Sequence, residues 1–476
     1  MHKLLHINAP IFLVGVIVLG LTASYTLSQP RPVPAFFPKY VFLFLSDGAG
    51  MAHLEIARQY RRHIHNEGFA IVDKIGKEGH VGVMTTHAAD AFSTDSAAAA
   101  TALTGGCKAK LGALGLCADG TPAITAMELA RQRGMRIALV TNGTIYDASP
   151  AALLSHVADR RDHDGIVQRY LEFEPDILLG GGMEQFLPKS QPGSRRTDDH
   201  DMISAFAEKG YRHIATKADL DNARGKLLGL FNLRDMSFEL DRDKSSEPSI
   251  VDMTRATIRS LSEGNRAGFF AFIESENIDT AAHLSDIASV IHEYREFDRA
   301  VELAHEFYRK HPHETLIIVT SDHETGGLGF TLALKDLSST RSDNRAFGTI
   351  ADFGKLKSIH ISLQKASRIL GRKPAPEAVD KLMRDHFRQF TLAPEFKDAI
   401  VKRQPLSRTL FTDLTAHALG AMIANNTQIY WQTAAHTNQP VLVAALGVGA
   451  ERFKGYYDNV DFGIKLKALF EERNHR

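Results

Sequence analysis

The chain has 476 residues, enough for one large α/β domain with insertions or for two to three ordinary domains. Its 44% hydrophobic and 24% charged residues are those of a globular protein with a sizeable core. Lys+Arg and Asp+Glu both total 56, and this balance gives no sign of nucleic acid or an acidic membrane surface as partner.

No Asp, Glu, Lys or Arg stands between Lys3 and Arg31, and Ile11 to Leu21 is an apolar run. Residues 1–30 therefore read as a secretory signal, with the small residues Thr22-Ala23-Ser24 at the cleavage position. The competing reading is an uncleaved N-terminal membrane anchor, because the uncharged stretch approaches the roughly 20 residues that span a bilayer. Both readings export the chain, to the periplasm or beyond. Residues 31–39 belong to a Pro-rich linker.

Tyr40 to Leu45 (YVFLFL) is a continuous apolar run ending at Ser46-Asp47-Gly48, which predicts a buried strand and a turn. The pattern recurs. Arg136–Thr141 precedes a loop with Asp147, Asp176–Leu179 precedes three glycines, and Gly268–Ile273 runs into Glu274. Thr315–Thr320 runs into Ser321-Asp322-His323, and Gln439–Leu446 is a late strand. Helical patterns fall between them at Ile124–Arg133, Ile250–Ser262 and Asp279–Tyr308. This alternation predicts an α/β fold with a doubly wound, mostly parallel sheet flanked by helices. Ligands of such sheets bind at the carboxyl ends of the strands, where these acids and histidines stand.

Ser93 to Gly106 reads STDSAAAATALTGG, so Ser96 opens a helix where free N–H groups favour an anion. Asp95-Ser96 is also an ordinary helix cap by type. Cys107 and Cys117 are the only cysteines, and in an exported chain they suit a short-loop disulfide or remain two thiols. Met183–Ser249 is polar and irregular, and residues 331–426 form a helix-rich insertion, read as a cap over the site or as surface elaboration. The division is then 40–330 and 427–476 for the two parts of a catalytic domain, with 331–426 inserted between them.

Asp279 and His283 are four apart on a predicted helix and share a face. Asp322-His323 at a strand end offers one oxygen and one nitrogen, Asp47 and Glu274 add carboxylates, and His436 precedes the last strand. Mixed N/O ligation fits zinc, and an all-oxygen set fits magnesium. With 22 histidines in the chain most are solvated or core residues. His283, His323 and His436 stand out by a nearby carboxylate or a strand-end position.

In order and spacing these segments resemble the alkaline phosphatase family, from about residue 40 to 335 and again from 427 to 460. The matching pieces are FLSDGAGM, TDSAAAATALTGG, KLGALG, YDASPAALLSHVADR, DILLGGG, IESENIDTAAH, TSDHETGG, AAHTNQPV and GVGAERFKG. The resemblance implies a phosphomonoesterase with Ser96 as phosphorylated nucleophile and Arg160 gripping phosphate oxygens. It implies one zinc on Asp279, His283 and His436, and a second on Asp47, Asp322 and His323. It implies one magnesium on Asp47, Asp147, Ser149 and Glu274. Ser149 stands where many relatives carry Thr, and Thr280 where some carry a basic residue. Family analogy also implies a homodimer. The substrates implied are small phosphate monoesters. Rival readings are a phosphodiesterase or sulfatase of the same superfamily, or a non-catalytic metal-dependent phosphate binder; the alanines after Ser96 speak against a sulfatase motif.

Overall fold

Tyr40–Ser46 forms strand β1, and all of its residues are buried. Its alternate side chains divide between two cores: Tyr40, Phe42 and Phe44 enter one, and Val41, Leu43 and Leu45 enter the other. A strand apolar on both faces is stable only with helices covering both sides, which explains the unbroken apolar run. The computed structural model describes residues 37–335 and 343–471; the signal or anchor segment 1–30 lies outside them. Among the described residues no helix is long and apolar enough to cross a membrane.

Nine further strands complete one sheet. They are β2 (His80–Thr85), β3 (Arg136–Thr144), β4 (Ile177–Gly181), β5 (Arg212–Ile214) and β6 (Leu227–Leu230), then β7 (Phe269–Ser275), β8 (Thr315–Thr320), β9 (Val441–Gly447) and β10 (Gly455–Asp458). The order across the sheet is β10-β2-β9-β8-β1-β7-β3-β4-β6-β5. Every neighbouring pair is parallel except the two that β9 makes with β8 and β2. The mostly parallel, helix-flanked sheet expected from the sequence is the observed one.

The reversal of β9 matters for the site. The carboxyl ends of β1, β7 and β8 lie at one edge, and the amino end of β9 lies at the same edge. A residue just before β9 therefore meets residues just after its parallel neighbours.

Five helices position the functional groups: α1 (Met51–Tyr60), α2 (Ser96–Gly105), α3 (Ala148–Ala152), α4 (Asn277–His283) and α5 (Ile287–Lys310). The sequence pattern read Asp279–Tyr308 as one helix. The structure breaks it, because Ser285 adopts a left-handed backbone (φ 57°) between α4 and α5. Cys107 and Cys117 form a disulfide across a separation of 10 residues. Within 331–426 the described residues form a hairpin of Leu332–Leu334 with Arg345–Phe347 and the helices Ile350–Leu356, Leu363–Leu370, Pro376–His386 and Pro394–Lys402. The helix Leu414–Thr427 closes the segment. Its apolar residues, among them Phe353, Leu363, Leu382 and Leu419, join the core on the α5 face of the sheet.

Candidate active site

Asp47 follows β1, Glu274 ends β7, and Asp322 and His323 follow β8; all four are buried. Asp279 and His283 lie on α4 with His283 Nε2 3.0 Å from Asp279 Oδ2. His436 approaches from the amino end of β9: its Nε2 is 3.0 Å from His283 Nε2 and 3.8 Å from Asp279 Oδ2. Its ring stacks on His323 with centroids 3.7 Å apart. Two groups thus present ligand atoms at metal-binding spacing: Asp279 with His283 and His436, and Asp47 with Asp279 and His323. Asp322 adjoins the second group, its Oδ2 3.2 Å from His323 Nε2. Asp279 belongs to both groups, whereas the sequence assigned it to one.

Backbone carbonyls fix the orientations of two of the rings. His283 Nδ1 lies 2.6 Å from the Ala434 carbonyl, and His436 Nδ1 lies 2.8 Å from the Thr94 carbonyl. Each ring donates its Nδ1–H there and turns Nε2 toward the centre, the nitrogen a metal ion would take once its proton is lost. Thr325 donates its hydroxyl to Asp279 Oδ1, leaving Oδ2 for the histidines. Gly48 (φ 69°) is required where it stands, since a Cβ would lie 2.2 Å from Asp279 Oδ1.

The helix cap at Ser96 resolves in favour of its neighbour. Asp95 is the cap of α2, its carboxylate accepting the Ala98 N–H at 3.0 Å. The Ser96 hydroxyl is left to face the site, with Oγ 3.2 Å from His323 Nε2. Arg160 donates to Asp147 Oδ1 at 2.8 Å, and its other amino nitrogen is 3.5 Å from Asp95 Oδ2, so the guanidinium spans the rim beside Ser96. Ser149 donates to Asp47 Oδ2 at 3.2 Å. The structure therefore places Asp147 against Arg160 and Ser149 against Asp47.

The electrostatics are those of crowded acids. Burial, then Asp322 and Asp279, push the Asp47 carboxyl well above the usual range. Burial pushes Asp322 to about 7 and Glu274 to about 8. Burial and then the His436 ring hold the His323 imidazole well below its ordinary value. Against an opposing burial effect, Asp279 raises His283 to about 9. Among the described residues, Asp47 Oδ1 and Asp322 Oδ2 accept no hydrogen bond, and the Thr141 and Ser149 hydroxyls beside Glu274 offset its burial only in part. Buried carboxylate oxygens without donors are costly, and cations are what such a set fits. The donor types agree: N/O ligands at the His-bearing groups suit zinc, and oxygen ligands at Glu274, Ser149 and Asp47 suit magnesium.

Two acids escaped the sequence reading. Burial, then Asp235 and Asp147, push the Glu276 carboxyl well up. Its Oε1 accepts from Thr280 Oγ1 at 3.2 Å. Asp235 is raised by burial and by Asp147. The period-two spacing of Glu274 and Glu276 was a usable signal for the first; nothing local distinguished Asp235.

Known proteins resemble this chain over most of its length. The family model described as alkaline phosphatase matches residues 38–471. Alkaline phosphatase 4 of Bacillus subtilis is 30% identical over 95% of this chain and 94% of its own length. The repressible alkaline phosphatase of Saccharomyces cerevisiae is 33% identical over 61% of this chain, and the match spans about half of that relative, 55%. Among solved structures, the alkaline phosphatase of Thermus thermophilus superposes with a TM-score of 0.81 at 26% identity, covering 94% of this chain and 96% of that one.

Proposed function

The chain belongs to the alkaline phosphatase family and is a phosphatase, and we propose that it hydrolyses phosphate monoesters through a phosphoserine on Ser96, with two zinc ions and one magnesium. The observation that carries this is the Ser96 hydroxyl, free of the capping role and 3.2 Å from His323 Nε2 at the edge of the ligand groups.

Asp279, His283 and His436 hold one zinc. Asp47, Asp322 and His323 hold the other, and Glu274, Ser149 and Asp47 with Asp147 hold magnesium. When bound, these ions polarise the phosphoryl oxygens, lower the pKa of hydroxyl groups beside them and neutralise charge that develops in an in-line displacement. Arg160, braced by Asp147, presents a planar fork to two phosphate oxygens. The amino end of α2 adds its own positive potential at the same place. Ser96 Oγ attacks phosphorus and yields its proton to solvent as the bond to the ester oxygen breaks on the opposite side, and the alcohol leaves with a proton taken from water. Water then attacks the phosphoserine in the same geometry, releasing inorganic phosphate and restoring the Ser96 hydroxyl.

The Cys107–Cys117 disulfide supports an oxidising compartment, in line with residues 1–30 as a secretion signal or anchor and with a location in the periplasm or outside the cell.

Ser96→Ala tests the reading. Zinc and magnesium content should stay at the wild-type level while turnover of an aryl phosphate monoester falls at least about a thousandfold. Turnover near wild type would end the nucleophile role. A matched diester hydrolysed faster than the monoester would move the enzyme to the diesterase class.

A further inference from the structure

The break between α4 and α5 comes directly after the ligand His283, and Ser285 is held there in a backbone region that non-glycine residues rarely occupy. Such strain persists only when the surroundings over-determine it. Here the surroundings come from the 331–426 segment. The Leu363 N–H donates to Asp286 Oδ2 at 2.7 Å. His417 stands 2.9 Å from Ser285 Oγ through Nδ1 and 2.9 Å from Thr412 Oγ1 through Nε2. Thr412 Oγ1 donates onward to the His283 carbonyl at 3.0 Å. Gly420 packs so closely that a Cβ would lie 2.7 Å from the Ser285 carbonyl oxygen.

The polarity of this relay is fixed by its ends. Thr412 spends its proton on the His283 carbonyl, so it accepts from His417 Nε2–H, and Ser285 donates to Nδ1. Burial holds the His417 imidazole at about 4, so the ring is neutral as the relay requires. A further contact reaches His283 from the side. The Ala434 N–H donates to the Thr409 carbonyl at 2.7 Å, and the Ala434 carbonyl orients His283 Nδ1. Residues 409–417 and 363 therefore grip the backbone of His283, its side-chain partner and the two residues after Leu284.

We propose that residues 363–420 form a clamp that positions His283 for its metal ion, with His417 as the positioning residue that joins Ser285 to the His283 carbonyl. This rests on the reading of His283 as a metal ligand. Outer contacts of this type typically carry a ten- to hundredfold effect on metal affinity.

The test is zinc competition against a chelator in the full-length protein, resolving the individual sites. In His417→Leu one of the two zinc ions should bind about ten- to a hundredfold more weakly and the other unchanged. Excess zinc should restore kcat with KM unaltered. His417→Asn, whose Oδ1 takes the place of Nδ1 as acceptor for Ser285, should recover part of the loss. Wild-type affinity at both sites in His417→Leu, or an equal loss at both, would overturn the clamp. If wild type itself takes up no zinc, the metal reading fails and the clamp falls with it. Should His417→Leu not fold, Thr412→Val, which removes one exposed hydroxyl, carries the same two outcomes with a smaller shift.

Discussion

Glu274 gives the sharpest quantitative test of how this site is held together. It is fully buried, and burial outweighs the Thr141 and Ser149 hydroxyls beside it and raises its carboxyl from 4.5 to about 8. In metal-free protein below pH 4.5, folded and unfolded chains both keep the proton and Glu274 costs nothing. Between 4.5 and about 8 the unfolded chain releases the proton while the folded chain retains it, so folded stability falls as pH rises. Above about 8 the cost is complete, about 5 kcal/mol for a gap of about 3.5 pH units. In a chain of this size that is a fall in Tm of roughly 5–10 °C. The assay is thermal unfolding of chelator-treated protein from pH 5 to 9, beside the metal-free Glu274→Gln variant. Asp298, also raised to about 7 by burial, titrates in both proteins and cancels in the comparison. The wild-type Tm should drop relative to the variant across this range. Parallel curves would refute the claim that Glu274 is an incompletely compensated acid awaiting a cation.

Glu324→Gln should destabilise by about 1–3 kcal/mol in urea unfolding. Each carboxylate oxygen accepts a backbone N–H, from Leu328 and from Gly327, both at 3.1 Å, so an amide must set an N–H against one of them. Because Glu324 also accepts from Thr437 beside His436, the same variant should bind zinc more weakly, and wild-type stability together with wild-type zinc content would exclude the role. Replacing Cys107 and Cys117 by Ser should cost about 3 kcal/mol, the chain-entropy value for a loop of this length. A denaturation midpoint unchanged by that double substitution would show the bridge to be energetically idle.

The strands were legible because parallel strands buried on both faces are apolar throughout, and Tyr40–Ser46 and Thr315–Thr320 are short runs with acids at their ends. The edge strands Arg212–Ile214 and Gly455–Asp458 were not, because their exposed and polar residues carry no such run. The α4–α5 break was illegible for a different reason. Its helical periodicity continues through Leu284–Asp286, and the left-handed turn at Ser285 is imposed by partners more than 75 residues away in sequence, at Leu363 and His417. Asp147 was legible as an acid beside a strand end, but its bond to Arg160 depends on how the chain returns 13 residues later.

His436 shows why the constellation was still recoverable. Every other proposed zinc ligand follows a strand, and His436 precedes one, which would place it at the opposite edge of a fully parallel sheet. Val441–Gly447 runs antiparallel to both neighbours, so its amino end sits beside Thr320 and Asp322, where the ring stacks on His323. The apparent exception in the pattern is thus the consequence of one reversed strand. It also makes the first ligand group depend on that strand's register. A slip of β9 by one residue against β8 would send Val441, Val443 and Ala445 into the core that now holds Ala444 and Leu446, and the reverse, and carry the chain before it about 3.4 Å along the strand axis. That is about the separation of His436 Nε2 from Asp279 Oδ2, 3.8 Å, so the sheet core that fixes β9 also fixes whether the three ligand atoms meet.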